Sequence, residues 1–507
     1  MLAAIRSAAL MGIEAYDIIV EVDAAAGLPQ WTIVGLPIGA VKESRERVGA
    51  ALVNSGFTVP PRRITINLAP ADVRKEGTAF DLPIALGILV ATGQLDACAV
   101  EGRLFVGELG LDGTVRGIRG ALSIARRAEA CVDVRELVLP RANLAEAGRV
   151  SALRLAAPPD FRTLAEELRS GRLTMAAAEP LAADVASEML DFADVVGQQT
   201  AKRALEVAAA GGHNLLMIGP PGAGKTMLAR RLPGILPELS EVEALEVIAI
   251  HSVAGTLTSR SLSLGARPFR APHHSISSAG LIGGGGTPRP GEVSLAHNGV
   301  LFLDEMLEFP RSVLEGLRQP MEDGKVVISR ATMSVPFPAR FTLVGATNPC
   351  PCGRLGDPTG RCVCTPAEVD RYSSRMSGPL NDRIDMHVPV GAVPLNDLSS
   401  PENGEPSSVI RRRVDSALAR QRLRFAQLRG VQCNAHAPGR WIDAHGMVER
   451  SARALLQRAA GSLSLSARGY HRVLKVARTI ADIDAEDVVT ERHVAEALRY
   501  RPVAKSG

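Results

Sequence analysis

The feature that most constrains this chain is a glycine-rich motif of eight residues, GPPGAGKT, near its middle. It follows an apolar run at 215–218 and precedes a segment of helical character at 227–232. A strand, a glycine loop and a helix start in this order form a phosphate cradle, because backbone N–H groups and the helix N-terminus face the phosphates. The motif therefore predicts a nucleoside triphosphate site in an α/β fold. Its residues are Gly219, Pro220, Pro221, Gly222, Ala223, Gly224, Lys225 and Thr226.

Two side chains of this motif and two acids further along the chain carry the expected chemistry. Lys225 is expected to neutralise the β- and γ-phosphate oxygens, and Thr226 to offer its hydroxyl to Mg²⁺. The apolar run 299–303 reads as a buried strand that ends in Asp304 and Glu305. In an ATPase the first acid holds Mg²⁺ and the second polarises the attacking water. We therefore expect ATP and Mg²⁺ as cofactors.

Three further polar residues follow in the order that an ATPase uses them. Asn348 closes the strand-like run 341–347, where an amide can sense the γ-phosphate, although many strands end in Asn. Arg383 lies in a D-R-x-D setting, which is either a salt-bridged loop or an arginine finger donated to a neighbouring subunit. Arg468 or Arg472, at the start of a C-terminal helix, is a candidate to reach the γ-phosphate.

Composition indicates a soluble protein of several domains. The 507 residues are 46% hydrophobic and 22% charged, and the net charge of +4 permits a nucleic-acid partner without requiring one. The first fifteen residues include Arg6 and Glu14, so they do not resemble a signal peptide. No apolar stretch is long enough to span a bilayer. We expect a cytoplasmic protein without a membrane partner.

Composition shifts divide the chain into three blocks and two linkers. Irregularly alternating strand and helix signals fill residues 1–168, and residues 169–189 form an Ala-rich linker with one proline. The nucleotide-binding α/β core is expected at 190–393, followed by a polar, proline-containing linker at 394–408. Residues 409–507 have apolar residues at helical spacing, which predicts a helical domain.

Four of the seven cysteines lie close together in one loop of the nucleotide-binding block. They form two C-x-C pairs in a segment rich in Gly and Pro. Four thiolates at this spacing can bind a structural Zn²⁺, although each pair is one residue tighter than the usual C-x₂-C. The alternative is a turn-rich loop with four reduced thiols. These residues are Cys350, Cys352, Cys362 and Cys364.

The ordered motifs resemble those of AAA+ ATPases of the helix-2-insert clade, and in particular the magnesium-chelatase-like YifB/ComM family. The stretches 267–275, 280–286, 290–299, 348–353 and 465–471 carry the likeness, which extends over essentially the whole chain. The resemblance implies an AAA+ P-loop core with a C-terminal helical lid, assembled as a homo-hexamer. It also implies an ATP-driven DNA helicase for branch migration of forked or branched DNA in recombination during natural transformation, with Arg383 acting in trans.

The first block resembles a Lon-protease-type domain, an α+β fold related to ribosomal S5 domain 2. The likeness rests on the stretches 77–85, 107–115 and 139–143. It implies that Ile84 occupies the position of the catalytic serine and that the segment 120–127 supplies no lysine. A Ser–Lys dyad needs both members. We therefore expect a scaffold without protease activity.

Basic residues between the phosphate loop and the D-E strand are candidate DNA contacts, because the clade projects hairpins from this insert into the ring pore. Arginine can bind phosphate without reading sequence. Two other functions use the same ATPase residues: a magnesium-chelatase motor subunit, and a MoxR-like ATPase that remodels a protein partner. The candidate DNA contacts are Arg260, Arg267, Arg270, His273 and His274.

Overall fold

The structure is a computed structural model of the chain. It describes residues 2–73, 75–150, 152–177, 190–258, 262, 265–286, 288–330, 333–356, 362–392, 404–463 and 465–502. The chain forms two compact units, residues 1–184 with 244–263, and residues 185–243 with 264–507. The segment 244–263, which the sequence places in the nucleotide-binding block, therefore belongs to the first unit.

The first unit contains nine strands and five helices within its described residues before position 178. Its strands are β1 (Leu2–Met11), β2 (Glu14–Ala25), β3 (Gln30–Val34), β4 (Arg63–Ala69), β5 (Arg103–Phe105), β6 (Glu108–Leu109), β7 (Val115–Arg116), β8 (Glu136–Val138) and β9 (Arg154–Ala156). Its helices are α1 (Ala40–Asn54), α2 (Asp81–Ala91), α3 (Ala121–Ala130), α4 (Leu144–Ala147) and α5 (Phe161–Ser170).

A four-stranded sheet of order β1-β2-β4-β3 is the centre of the first unit. Strands β1, β2 and β4 are antiparallel neighbours, whereas β3 runs parallel to β4. Alternate residues of β2 are buried, as a sheet with one covered face requires. Helix α2 packs on β1 and β2, and all eleven of its residues are buried because it is apolar on every side. Strands β5, β8 and β9 form a second, parallel sheet.

The second unit is built on a five-stranded parallel sheet. The strands of the whole unit, within its described residues, are β10 (Leu215–Ile218), β11 (Phe269–Arg270), β12 (Gly283–Gly284), β13 (Arg289–Pro290), β14 (Gly299–Leu303), β15 (Lys325–Arg330), β16 (Met333–Pro338), β17 (Phe341–Thr347) and β18 (Met386–Pro389). The sheet has the order β11-β14-β17-β10-β18, and every neighbouring pair is parallel. The pairs β12–β13 and β15–β16 are separate antiparallel ribbons. The expected α/β core with a parallel sheet is confirmed.

The described helices from residue 199 onward lie in the second unit, except for one that continues into the first unit from Ala244. They are α6 (Gln199–Gly211), α7 (Lys225–Ile235), α8 (Glu241–Ala254), α9 (Ser278–Ile282), α10 (Glu292–Leu295), α11 (Arg311–Gly316), α12 (Arg318–Asp323), α13 (Pro366–Ser373), α14 (Gly378–Asn381), α15 (Ser407–Arg424), α16 (Gly439–His445), α17 (Arg450–Ser462), α18 (Ala467–Ile483) and α19 (Glu491–Arg499). Helix α8 enters the first unit at Ala244. The C-terminal helices start at Ser407, inside the segment that the sequence assigns to a linker.

The C-terminal helices share one hydrophobic core with the parallel sheet. Ile410 of α15 and Val473 of α18 belong to the same buried cluster as Leu215 of β10. Helix α18 also buries Arg478, which is only 1% exposed and pairs with Asp482 at 3.0 Å. Because the sheet and these helices exclude water from each other, they form one compact unit.

Candidate functional site

Strand β10 lies between β17 and β18 in the sheet, and the phosphate loop follows its carboxyl end. Gly222 and Gly224 have φ values of 78° and 86°, which favour glycine. Gly219 has a different reason: an added Cβ atom would lie 2.0 Å from the carbonyl oxygen of Val390. Glycine is therefore needed both for the turn and for the close approach of the neighbouring chain segment.

Lys225, the first residue of α7, places its ammonium group inside this loop. Its Nζ donates to the carbonyl oxygens of Gly219 at 2.5 Å and Pro220 at 2.9 Å, and to Oδ1 of Asn348 at 3.2 Å. Burial lowers the pKa of Lys225, and the carboxylates of Asp304 and Glu305 oppose that shift. The structure thus brings together the phosphate loop, the amide after β17 and the two acids after β14.

A hydroxyl and a carboxylate meet beside the lysine. Thr226 Oγ1 donates a 2.6 Å hydrogen bond to Asp304 Oδ2. The other carboxylate oxygen of Asp304 accepts from the backbone N–H of Glu305 at 3.0 Å. Oxygen ligands of these two types are those that Mg²⁺ prefers, usually together with water and phosphate oxygens. Thr226 and Asp304 therefore fit a Mg²⁺ ion that accompanies a nucleotide.

Glu305 has a left-handed backbone conformation. Its φ is 50°, in the left-handed region that few non-glycine residues adopt. Such strain costs about 1–3 kcal/mol and is typical of functional sites. The side chain is 57% exposed, and its Oε2 lies 3.7 Å from Nδ1 of His274. Glu305 is therefore accessible to a water molecule at the mouth of the site.

Arg383 is held by a glutamate that the sequence analysis missed. Its guanidinium pairs with Oε1 of Glu322 in α12 and donates to the carbonyl oxygen of Pro379 at 2.6 Å. This bond lowers the pKa of Glu322. The Arg383 side chain is 9% exposed, and no hydrogen bond or ion pair in the described part of the chain links it to the phosphate loop.

The two candidate arginines of α18 have different surroundings. Arg472 is engaged: its Nε lies 3.6 Å from Oδ1 of Asp385 and its Nη1 donates to the carbonyl oxygen of Ile384 at 3.3 Å. Burial lowers the pKa of Arg472. Arg468 is exposed and close enough to Glu322 to help lower that carboxyl's pKa. Arg468 is thus near Arg383, and its side chain is more exposed than that of Arg472.

The four cysteines of the loop after β17 converge on one point. All four Sγ atoms lie within 4.8 Å of one another. Cys350 Sγ is 3.4 Å from Cys352 Sγ and 3.8 Å from Cys362 Sγ, and Cys352 Sγ is 3.6 Å from Cys362 Sγ. Backbone N–H donors of Arg354 and Val363 lower the pKa of Cys352 to about 6. The cluster is able to hold a metal ion.

Most of the candidate DNA contacts are engaged within the second unit. Arg267 donates to the carbonyl oxygens of Pro237 at 2.7 Å and Asn298 at 2.6 Å, and its side chain is 12% exposed.

Arg270 forms a bidentate pair with Glu292 at 2.6 and 2.7 Å. His273 Nδ1 and Ser275 Oγ share a hydrogen bond at 2.8 Å. Arg260 lies outside the described residues. Arg267 and Arg270 therefore serve the fold, which the sequence could not reveal because their partners are 22 to 31 residues distant.

In the first unit, Ile84 is fully buried in α2. Lys75, which no sequence motif singles out, is also fully buried, and its ammonium donates to the carbonyl oxygen of Pro70. Burial lowers the pKa of Lys75. No serine hydroxyl among the described residues hydrogen-bonds to it.

The parallel sheet, the phosphate loop after β10 and the acids after β14 define the class of P-loop nucleotide-binding proteins. Family models match three segments: "Subunit ChlI of Mg-chelatase" at 20–143, "Magnesium chelatase, subunit ChlI" at 191–398, and "Magnesium chelatase, subunit ChlI C-terminal" at 404–501. The chain belongs to the magnesium-chelatase-like YifB/ComM family. Membership implies use of ATP and Mg²⁺, which Lys225, Thr226 and Asp304 fit.

Curated relatives match the chain from end to end. It is 45% identical to uncharacterized protein YifB of Salmonella typhimurium, over 99% of this chain and 97% of the relative. It is 43% identical to competence protein ComM of Haemophilus influenzae, over 99% of this chain and 98% of the relative. Lon protease 2 of Bacillus subtilis is 30% identical over 213 residues, 37% of each chain.

No helix in the described ranges is long and apolar enough to cross a membrane.

Proposed function

We propose that this protein is a hexameric, ATP-driven DNA motor of the cytoplasm, a branch-migration helicase that promotes homologous recombination during natural transformation. The observation that carries the proposal is the nearly full-length similarity to a competence protein, ComM of Haemophilus influenzae, at 43% identity. Competence is the uptake of DNA, and incorporating that DNA requires strand exchange. An ATP-binding site of motor type supplies the energy for it.

The site residues divide the work of ATP hydrolysis. Lys225 neutralises the β- and γ-phosphates, and Thr226 and Asp304 hold Mg²⁺. Glu305 takes the proton of the attacking water, because its carboxylate is exposed next to the Mg²⁺ ligands. Asn348 senses the γ-phosphate and orients the water, and the 3.2 Å hydrogen bond that its Oδ1 accepts from the Lys225 ammonium supports this role.

Arginines from a neighbouring subunit complete the site in the proposed ring. Within the described residues no hydrogen bond or ion pair links Arg383 to its own phosphate loop, which is compatible with a role in trans. Its ion pair with Glu322 would have to open for it to reach a neighbour's phosphates. The exposed Arg468 lies in the same surroundings and is available to the same phosphates. An arginine finger contributes roughly 10³–10⁵-fold in rate, so each site depends on its neighbour.

The DNA-binding part of the proposal requires side chains that reach the solvent. His273 and His274 remain candidates, with ring centroids 4.1 Å apart and partly exposed side chains. Their proximity to Glu305 supports a link between DNA and hydrolysis, since His274 Nδ1 is 3.7 Å from its carboxylate. DNA that contacts His274 would move it and with it the catalytic acid.

We also propose that Cys350, Cys352, Cys362 and Cys364 hold a structural Zn²⁺. A tetrahedral zinc ion with Zn–S bonds of about 2.3 Å separates its sulfur ligands by about 3.8 Å. The three distances among the first three sulfurs are 3.4, 3.6 and 3.8 Å. The tight C-x-C spacing therefore does not prevent a tetrahedral arrangement.

The decisive experiment measures ATP hydrolysis with forked DNA, a four-way junction and a linear duplex of equal length, at low salt. A branch-migration motor should be stimulated more by the branched substrates, and should move the junction only with hydrolysable ATP. The Lys225→Ala variant controls for contaminating ATPases. Hydrolysis that is indifferent to every DNA would contradict the proposal.

The alternative is a magnesium-chelatase-type or MoxR-like ATPase that remodels a protein partner. The family models named after subunit ChlI support it. A protein partner that stimulates hydrolysis when DNA does not would favour this alternative.

A further inference from the structure

The four-cysteine loop is in direct contact with the phosphate loop. Gly353, which follows Cys352, packs against Pro221: an added Cβ atom would lie 2.6 Å from Pro221 Cδ. At the other end of the same short segment, Asn348 accepts a hydrogen bond from Lys225. Residues 348–353 therefore touch the phosphate-binding loop at two points, one before and one after the first pair of cysteines.

We propose that a zinc ion held by the four cysteines positions the phosphate loop, so that loss of the metal weakens nucleotide binding. This inference rests on the proposed nucleotide and zinc sites, and it adds a role to the metal. The cysteines act as positioning residues, because they reach the nucleotide through Asn348 and Gly353.

The physical reason is that the segment has few other restraints. Residues 348–356 contain turns and no helix or strand. Their local order depends on contacts such as the 3.3 Å hydrogen bond from Leu355 N to Cys350 Sγ and the burial of Cys350. Metal binding supplies folding free energy to such loops, whereas ordering each residue costs about 1–2 kcal/mol. Without the ion, Asn348 and Gly353 would lose their fixed positions.

The first test removes the metal from the full-length protein. Zinc content and the Kd of a fluorescent ATP analogue with Mg²⁺ are measured for the parent and for a Cys362→Ser, Cys364→Ser variant. The variant should lose zinc, and the Kd should rise by roughly tenfold or more, since a displacement of about 1 Å is enough to disrupt a preorganised site. A Cys98→Ser variant, with its exposed thiol in the first unit, should keep both values.

The second test separates positioning from a general loss of folding. Gly353 and Gly356 both have positive φ, 76° and 80°, so alanine strains the backbone equally at each. At Gly353 the new methyl group meets Pro221 of the phosphate loop, whereas no atom of the described residues lies within 4 Å of a Cβ atom built at Gly356. Gly353→Ala should retain zinc and bind nucleotide more weakly, and Gly356→Ala should match the parent.

Equal nucleotide affinity in the metal-free and parent proteins would overturn the inference, as would equal effects of the two glycine variants. Neither result would touch the proposed function if Lys225→Ala abolishes binding in the same assay. If instead the parent binds no nucleotide, the proposed ATPase function itself fails. Thermal unfolding of each variant shows that the compared proteins are folded.

Discussion

Thr226 Oγ1 and Asp304 Oδ2 are joined by a 2.6 Å hydrogen bond although 78 residues separate them in the chain. The bond links the start of α7 to the end of β14, and both points lie at the carboxyl end of the parallel strands. The fold thus brings together, from distant positions in the chain, two oxygens of the kinds that Mg²⁺ prefers as ligands.

Lys225→Ala should abolish tight nucleotide binding, because the loop loses the ammonium group that neutralises the phosphates. Hydrogen bonds to charged groups contribute about 1.5–3 kcal/mol each, so affinity should fall by roughly 10–100-fold or more. Titration with a fluorescent ATP analogue measures the change. Normal affinity in this variant would refute the phosphate-loop assignment.

Glu305→Gln should bind ATP at close to parental affinity and hydrolyse it about 10²–10⁴-fold more slowly, because the Mg²⁺ ligands remain and only the base is lost. Trapped ATP should also favour assembled rings, which analytical ultracentrifugation detects. Glu308→Gln is the matched control, since the same change three residues later alters a pair with Arg375. Parental turnover in Glu305→Gln would exclude it as the catalytic base.

Arg383→Ala should bind ATP and lose roughly 10³–10⁵-fold in hydrolysis, if this arginine completes the neighbour's site. Mixing it with Lys225→Ala subunits should restore some activity, because one subunit then supplies the lysine and the next supplies the arginine. ATPase activity is measured over a range of mixing ratios.

Arg375→Ala serves as the control for this experiment, since its half-exposed side chain pairs with Glu308. The absence of rescue in rings shown to be mixed would mean that Arg383 acts in its own subunit or only pairs with Glu322.

Arg267→Ala should destabilise the second unit, because it removes the hydrogen bonds that the guanidinium donates to the carbonyl oxygens of Pro237 and Asn298. Hydrogen bonds from a charged donor contribute about 1.5–3 kcal/mol, and chemical denaturation can measure their loss. His273→Ala should leave stability nearly unchanged. If Arg267→Ala instead reduces DNA binding at full stability, the arginine contacts DNA.

The Cys362→Ser, Cys364→Ser variant should contain less zinc than the parent by about one ion per chain, since a four-thiolate site needs all its ligands. Metal analysis by mass spectrometry after exhaustive dialysis measures it. Equal zinc in both proteins would show that these cysteines do not bind it.

The helix and strand signals of the sequence predicted much of the secondary structure. The apolar run at 215–218 coincides with β10, and 341–347 with β17. The helical segment expected at 227–232 lies within α7, which begins at Lys225 and ends at Ile235. Local propensity and periodicity determine such elements, so a single sequence is sufficient for them.

The sequence by itself determined the nucleotide class, because the phosphate loop is a contiguous motif whose residue types follow from backbone geometry. Only the tertiary structure decided the rest. Pairing Arg383 with Glu322, burying Arg267 among carbonyl oxygens and placing Gly353 against Pro221 all join distant parts of the chain. Such contacts depend on how strands and helices pack, and neither residue type nor spacing along the chain encodes them locally.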